Sequence, residues 1–194
     1  MTSELSGVAP DYTIWHAYDR NVKAELFSTA IQSPGEIVAI DPIPLAAPVR
    51  SALAITAAVL TNANHVRAVH QFASGEKIFV PAELRGDFPG ARILTDDSEF
   101  FGLRAIAIAG AAPGEFALHD PRHGGTLIFG DALINFGSNG FNLLPAKYCL
   151  NQKQMIRSLH RLSELPLTRM FFAHGEPITV HAGERFRALL QSCS

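Results

Sequence analysis

The sequence predicts an α+β fold in which two mixed β-sheets pack face to face with helices outside, a four-layer αββα sandwich. Three observations carry this. The segment up to Ile40 reads as consecutive strands separated by tight turns. The middle of the chain changes to the order strand, polar loop, helix, strand. The last quarter reads as helix, strand, helix. A meander, a βαβ-like unit, a second meander and an αβα end bury their apolar faces together when two sheets stack and helices cover them.

Tyr12 to Tyr18 alternates aromatic or β-branched residues with smaller or polar ones, the period of a half-buried strand. Ala24 to Ile31 reads as a second strand, with Ser33-Pro34-Gly35 as a turn. Glu36 to Ile40 is a third strand, ending abruptly at Asp41-Pro42. Ile55 to Leu60 is an apolar run stopped by the polar segment Thr61-Asn62-Ala63-Asn64-His65. Val66 to Phe72 places Val66, Val69, His70 and Phe72 near helical spacing, closed by Ser74-Gly75, and Lys77 to Pro81 returns to strand. Leu103 to Ala109, Glu115 to His119 and Thr126 to Phe129 are short strands, the last two joined by a hairpin loop over 120–125. Asn151 to Leu165 carries Met155, Leu159 and Leu162 on one helical face and stops at Pro166. Arg169 to Ala173 is a buried strand, and Val180 to Leu190 a terminal helix. No repeat of fixed period and no linker interrupts this order, so residues 1–194 read as a single domain.

Composition narrows the function. With 194 residues, 47% hydrophobic and 18% charged, the chain can bury a core of its own. The net charge is −2 and no Lys/Arg-rich run occurs, which argues against nucleic acid and against an anionic membrane surface as partners. The N-terminal residues lack a basic start followed by an apolar run, so a cytoplasmic protein is expected. The two cysteines, Cys149 and Cys193, form no C-x-x-C motif and read as free thiols. There is no G-x-S-x-G elbow, no dinucleotide fingerprint and no P-loop.

Polar residues gather at abrupt strand ends: Asp41, the 61–65 loop, Gly110–Gly114, Gly130-Asp131 and His174-Gly175. Strand ends converging on one edge are where such folds place a site. These same segments resemble the metallo-β-lactamase superfamily, which includes glyoxalase II-like thioester hydrolases. Val38-Ala39-Ile40-Asp41-Pro42 resembles its early strand ending in Asp-Pro. Ala58-Val59-Leu60-Thr61 resembles the strand entering its T-H-x-H-x-D-H loop. Gly110-Ala111-Ala112-Pro113-Gly114 stands where the family has G-H-T-P-G. Leu127-Ile128-Phe129-Gly130-Asp131 resembles the strand carrying its bridging aspartate, and Phe172-Ala173-His174-Gly175 its last histidine segment.

The resemblance implies a site for two Zn²⁺ ions, yet most ligand positions are replaced. Aligned without gaps, the loop reads Asn62-Ala63-Asn64-His65-Val66-Arg67, so asparagines stand at both leading histidines, Val66 at the aspartate and Arg67 at the last histidine. Ala111 stands at the histidine of the Gly/Pro turn. Only Asp131 and His174 are retained. Neutral amides are poor zinc donors, and a guanidinium cannot lose its proton to bind a cation. The expectation is therefore no cofactor, or at most a single divalent ion (Zn, Mn or Fe) at Asp131 and His174.

Three functions follow, in order of preference. The first is a non-catalytic or small-ligand-binding protein using the old cleft, with Asn62, Asn64, Arg67 and Glu115 contacting a small anion. The second is an ester or thioester hydrolase with one weakly held metal at Asp131 and His174. The third is metal-free acid–base catalysis by Asp131, His174 or Glu115. An Arg67–Asp131 ion pair is expected to replace the lost metal charge. Glu115 reads most simply as a solvated residue starting a strand. His65 falls on a position of the pattern that points away from the metals, so a helix-start or surface role is expected. His70 reads as packing or solvated, His119 and His123 as exposed beside a hairpin loop, His160 and His181 as part of no constellation, and 137–140 as a lid or substrate loop.

Overall fold

The computed structural model describes residues 5–33, 35–136 and 140–193. The first sheet runs β1 (Ser6–Ala9), β2 (Tyr12–Asp19), β3 (Ala24–Ser33), β4 (Glu36–Ile40), β5 (Ala57–Val59), β6 (Ile78–Val80) and β7 (Arg92–Ile93), in that spatial order. The second holds β8 (Glu99–Phe100), β9 (Leu103–Ala107), β10 (Phe116–Asp120), β11 (Thr126–Phe129) and, at its far edge, β14 (Arg169–Phe172). A separate hairpin, β12 (Leu133–Phe136) and β13 (Gly140–Leu143), follows β11. The helices are α1 (Ala47–Leu53), α2 (Gln152–His160) and α3 (Ala182–Gln191). The expected lid over 137–140 falls mostly outside the described residues, and Gly140 begins β13.

Alternation along each strand sorts side chains between layers. On β10, Phe116 and Leu118 face the other sheet, where they join Ile14, Phe27, Ile31, Val38, Val59, Ile128 and Phe171. Ala117 faces outward with Ile106, Phe129 and Phe172, beneath Met155 and Leu159 of α2 and Phe186 and Leu190 of α3. The outer face of the first sheet, through Trp15, Ala30 and Ala39, is covered by Ile43, Leu45, Ala68, Phe72 and the half-buried Val49 and Leu53 of α1. Helix, sheet, sheet and helix are thus stacked as four layers, each closing an apolar face of its neighbour.

Two parallel pairings position the site. β4 lies beside β5 with Ile40 opposite Val59, so Asp41 and Thr61 leave the first sheet at one edge. β11 lies beside β14 with Phe129 opposite Phe172, so Asp131 and His174 leave the second sheet together. The expected helix over Val66 to Phe72 is reduced to a single 3₁₀ turn, Val69–Gln71. Arg67 sits at φ +39°, in the left-handed region, which a right-handed helix cannot include.

Candidate active site

The loop after β5 is anchored on a buried carboxylate. Asp41 Oδ1 accepts the Thr61 backbone N–H at 2.8 Å, and Oδ2 accepts the Thr61 hydroxyl at 2.5 Å. The Ala63 N–H donates to the Pro113 carbonyl at 3.0 Å, tying the loop to the Gly110–Gly114 turn. So held, the loop turns His65 inward. Its Nδ1 lies 3.0 Å from Asp41 Oδ2, and its Nε2 lies 3.1 Å from Asp131 Oδ1. His174 Nε2 meets the same Asp131 oxygen at 3.0 Å. The Asn64 amide lies 3.4 Å from the other Asp131 oxygen. Phe136 sets its ring edge-on to His174, with centroids 6.1 Å apart.

The structure therefore corrects the reading of His65. It is 3% exposed and sits at the centre of the cluster, where a surface role was expected. Pattern matching places a residue along the chain, while the Asp41–Thr61 contact decides which way its side chain turns. A second correction concerns Arg67, which makes no ion pair with Asp131. Its Nη1 donates to the carbonyls of Phe27 at 2.9 Å and Asp41 at 3.0 Å, and its Nη2 to that of Ala173 at 3.4 Å. The cation thereby joins β3 to the residues that follow β4 and β14. Glu115 is also not solvated: it is 4% exposed, and Asn62 beside it is 0% exposed. Asn62 Nδ2 donates to Glu115 Oε2 at 2.7 Å, and the Ala132 N–H donates to Oε1 at 3.0 Å. Asn64 alone of the two loop asparagines is exposed.

Away from the site, His70 is exposed and stacks on Phe88, and His160 and His181 are exposed. His123 is half-exposed near Asp11 as expected, but His119, also expected to be exposed, is buried on β10, whose residues are covered on both faces.

The charges are strongly interdependent. Burial and the Arg67 guanidinium press the His65 imidazolium towards deprotonation, but the Asp41 and Asp131 carboxylates outweigh both and raise its pKa to about 9. Burial alone would raise Asp131; the two imidazoles hold it far below the usual carboxylate range. Burial lowers the pKa of His174, against the pull of Asp131. Burial, reinforced by the Asp131 charge, pushes Glu115 up to about 8.

Two imidazole nitrogens and a carboxylate oxygen, all within 4.8 Å of one another, are a donor set that suits one divalent metal ion such as zinc. The backing of His65 also fits, since a Nδ1–H held on Asp41 leaves the Nε2 lone pair free for a cation. No second group of this kind occurs among the described residues. At the position of the family's first leading histidine, the Asn62 amide is spent on Glu115.

Besides His65, Asp41 and Thr61 are members of this site to which sequence reasoning gave no role, although the strand ending in Asp41-Pro42 was the available signal. A model of the metallo-β-lactamase superfamily matches residues 5–190. No curated protein sequence matches the chain. Among solved structures, the DIM-1 metallo-β-lactamase shares 14% identity at a TM-score of 0.74, covering 100% of this chain and 99% of that one. A metallo-β-lactamase from Pontibacter korlensis gives 13% identity and a TM-score of 0.71 over 98% of this chain and 99% of its own. A metallo-β-lactamase family protein from Thermus thermophilus gives 18% and 0.66 over 96% of this chain and 81% of its own. With the fold shared and the family model spanning nearly the whole sequence, the chain belongs to the metallo-β-lactamase superfamily.

Proposed function

We propose that the protein is a hydrolase of small esters or thioesters that works with a single divalent metal ion held by His65, Asp131 and His174. The convergence of these three donors carries the reading. The sequence offered two retained ligands, which favoured a binding protein, because two donors rarely hold zinc tightly. His65 supplies the third. When bound, such an ion polarises a carbonyl and makes a water molecule acidic. Asp41 keeps the proton of His65 on Nδ1, and Asp131 offers its carboxylate between the two rings. Phe136 shields one edge of His174 from solvent, and the exposed Asn64 amide is placed to hydrogen-bond a substrate oxygen.

Elemental analysis of the purified protein, after equilibration with Zn²⁺, Mn²⁺ or Fe²⁺, tests this. The expected result is about one metal per chain, a tetrahedral site needing three protein donors and leaving one position open. The His65→Ala and His174→Ala variants should each lose it. A wild-type protein that retains no metal would sink the reading and favour a binder of small anions. One observation supports another alternative: Asp41, His65, Asp131 and His174 form an unbroken chain of polar contacts. Esterase activity that chelators leave intact would favour metal-free acid–base catalysis along that chain.

A further inference from the structure

Asp131 is held from in front by the two imidazoles, but its backbone is fixed from behind. The residue after it, Ala132, gives its N–H to Glu115 Oε1 at 3.0 Å. The other oxygen of Glu115 accepts from Asn62 Nδ2 at 2.7 Å, and Asn62 Oδ1 accepts the Asn64 N–H at 2.9 Å. A single buried carboxyl thus links the 61–65 loop, which delivers His65 and Asn64, to the turn that delivers Asp131. The space around it is closed: a methyl group on Gly130 would lie 2.8 Å from Glu115 Oε1 and 2.9 Å from Asn62 Nδ2.

We propose that Glu115 is a positioning residue, which together with Asn62 sets the Asp131 carboxylate at the meeting point of His65 and His174. This rests on the reading of that cluster as the functional centre. The asparagine at the family's first leading histidine is then half of a clamp: its amide nitrogen and oxygen each have a dedicated partner, one on either side. A residue buried only to fill space would tolerate any isosteric replacement, whereas a clamp depends on the direction of each hydrogen bond. In its ionised form, above the raised pKa of about 8, Glu115 accepts at both oxygens. Glu115→Gln would keep the acceptor for Ala132 but oppose its amide N–H to that of Asn62. Adding Asn62→Asp reverses the donor: the introduced amide would donate to the introduced carboxylate, whose second oxygen still accepts from Asn64 N–H.

Wild type, E115Q and N62D/E115Q are compared by two measurements at about pH 9, where the Glu115 carboxyl is ionised. One is the ¹⁵N chemical shifts of the His65 and His174 rings in metal-free protein. The other is Zn²⁺ affinity in competition with a chromogenic chelator. E115Q is expected to move both ring signals and to weaken Zn²⁺ about tenfold or more, the usual effect of losing support behind a ligand. The double variant is expected to restore both. Ring signals unchanged in E115Q, or a folded double variant that fails to restore them, would overturn the proposal. Wild type that binds no Zn²⁺ counts against the metal reading alone, because the ring shifts are measured without metal.

Discussion

A methyl group placed on Gly130 would collide with the Thr61 hydroxyl, inside the shell of side chains that holds the site. Gly130→Ala is therefore expected to destabilise the fold by about 1–3 kcal/mol, as overpacked interiors do. Thermal denaturation checks this, and the same variant should lose metal, because Asp131 is its neighbour. Asp41 acts at one remove, through Nδ1 of His65 and through Thr61. Asp41→Asn should leave all three donors in place yet lower Zn²⁺ affinity about 10–100-fold, read by chelator competition; unchanged affinity would show that Asp41 does not orient His65. At this scale the sequence was partly legible. Asp131 and His174 were found because each follows an apolar strand at a recognisable Gly. His65 was not, since the direction of a side chain in an irregular loop depends on contacts with Asp41, twenty-four residues earlier in the chain. The burial of Glu115 escaped notice for a similar reason: its partners, Asn62 and Ala132, come from two other segments.

Apolar runs bounded by clear turns were read correctly, whereas the helical spacing over Val66 to Phe72 misled and the two-residue strands were missed. β2 alternates visibly, while β10 and β11 are buried on both faces and show as apolar runs between turns. β7 and β8 have two residues each, too short for any period to show. α1 was not read from the sequence; its Pro48 lies in the first turn, where proline is well placed. α2 begins at Asn151, whose side chain accepts the Gln154 N–H at 3.0 Å. Asn151→Ala is expected to cost about 1 kcal/mol, the usual value of such a cap, measured by urea denaturation. The Gly110 carbonyl accepts the Asn151 backbone N–H at 2.8 Å, a bond that the alanine variant keeps, so the cost should stay confined to the cap.

Across the whole molecule, the two sheets are tied at the pole away from the site. The Tyr12 hydroxyl of β2 donates to Asp120 of β10, and Arg122 donates to the same carboxylate, its Nη2 at 2.7 Å. Burial would raise the Asp120 pKa, but these hydrogen bonds outweigh it and hold the group below the usual carboxylate range. The folded state thus binds this proton less readily than the unfolded chain. Its contribution to stability is complete above the ordinary carboxyl pKa, near 4, and fades as pH falls through the lower, folded value. Asp120→Asn should accordingly be less stable than wild type at neutral pH, with the gap narrowing in acid. Denaturation curves at pH 7 and pH 3 check this, and a gap independent of pH would refute it. The stacking of two covered sheets was legible in the order of strands and helices. This tie was not, because it joins residues far apart in the chain.

The parallel pairing of β11 with β14 has a consequence in time as well as in space. Asp41, His65 and Asp131 are all synthesised before the edge strand that delivers His174. A ribosome that has not yet released β14 therefore carries a nascent chain whose His65–Asp131–His174 group is unfinished, however well its first sheet has formed. On the proposed metal reading, an ion would be retained only once the second sheet gains this strand. Translation stalled before Arg169 should yield chains unable to retain Zn²⁺, and uptake of the metal becomes a marker that synthesis has passed this strand.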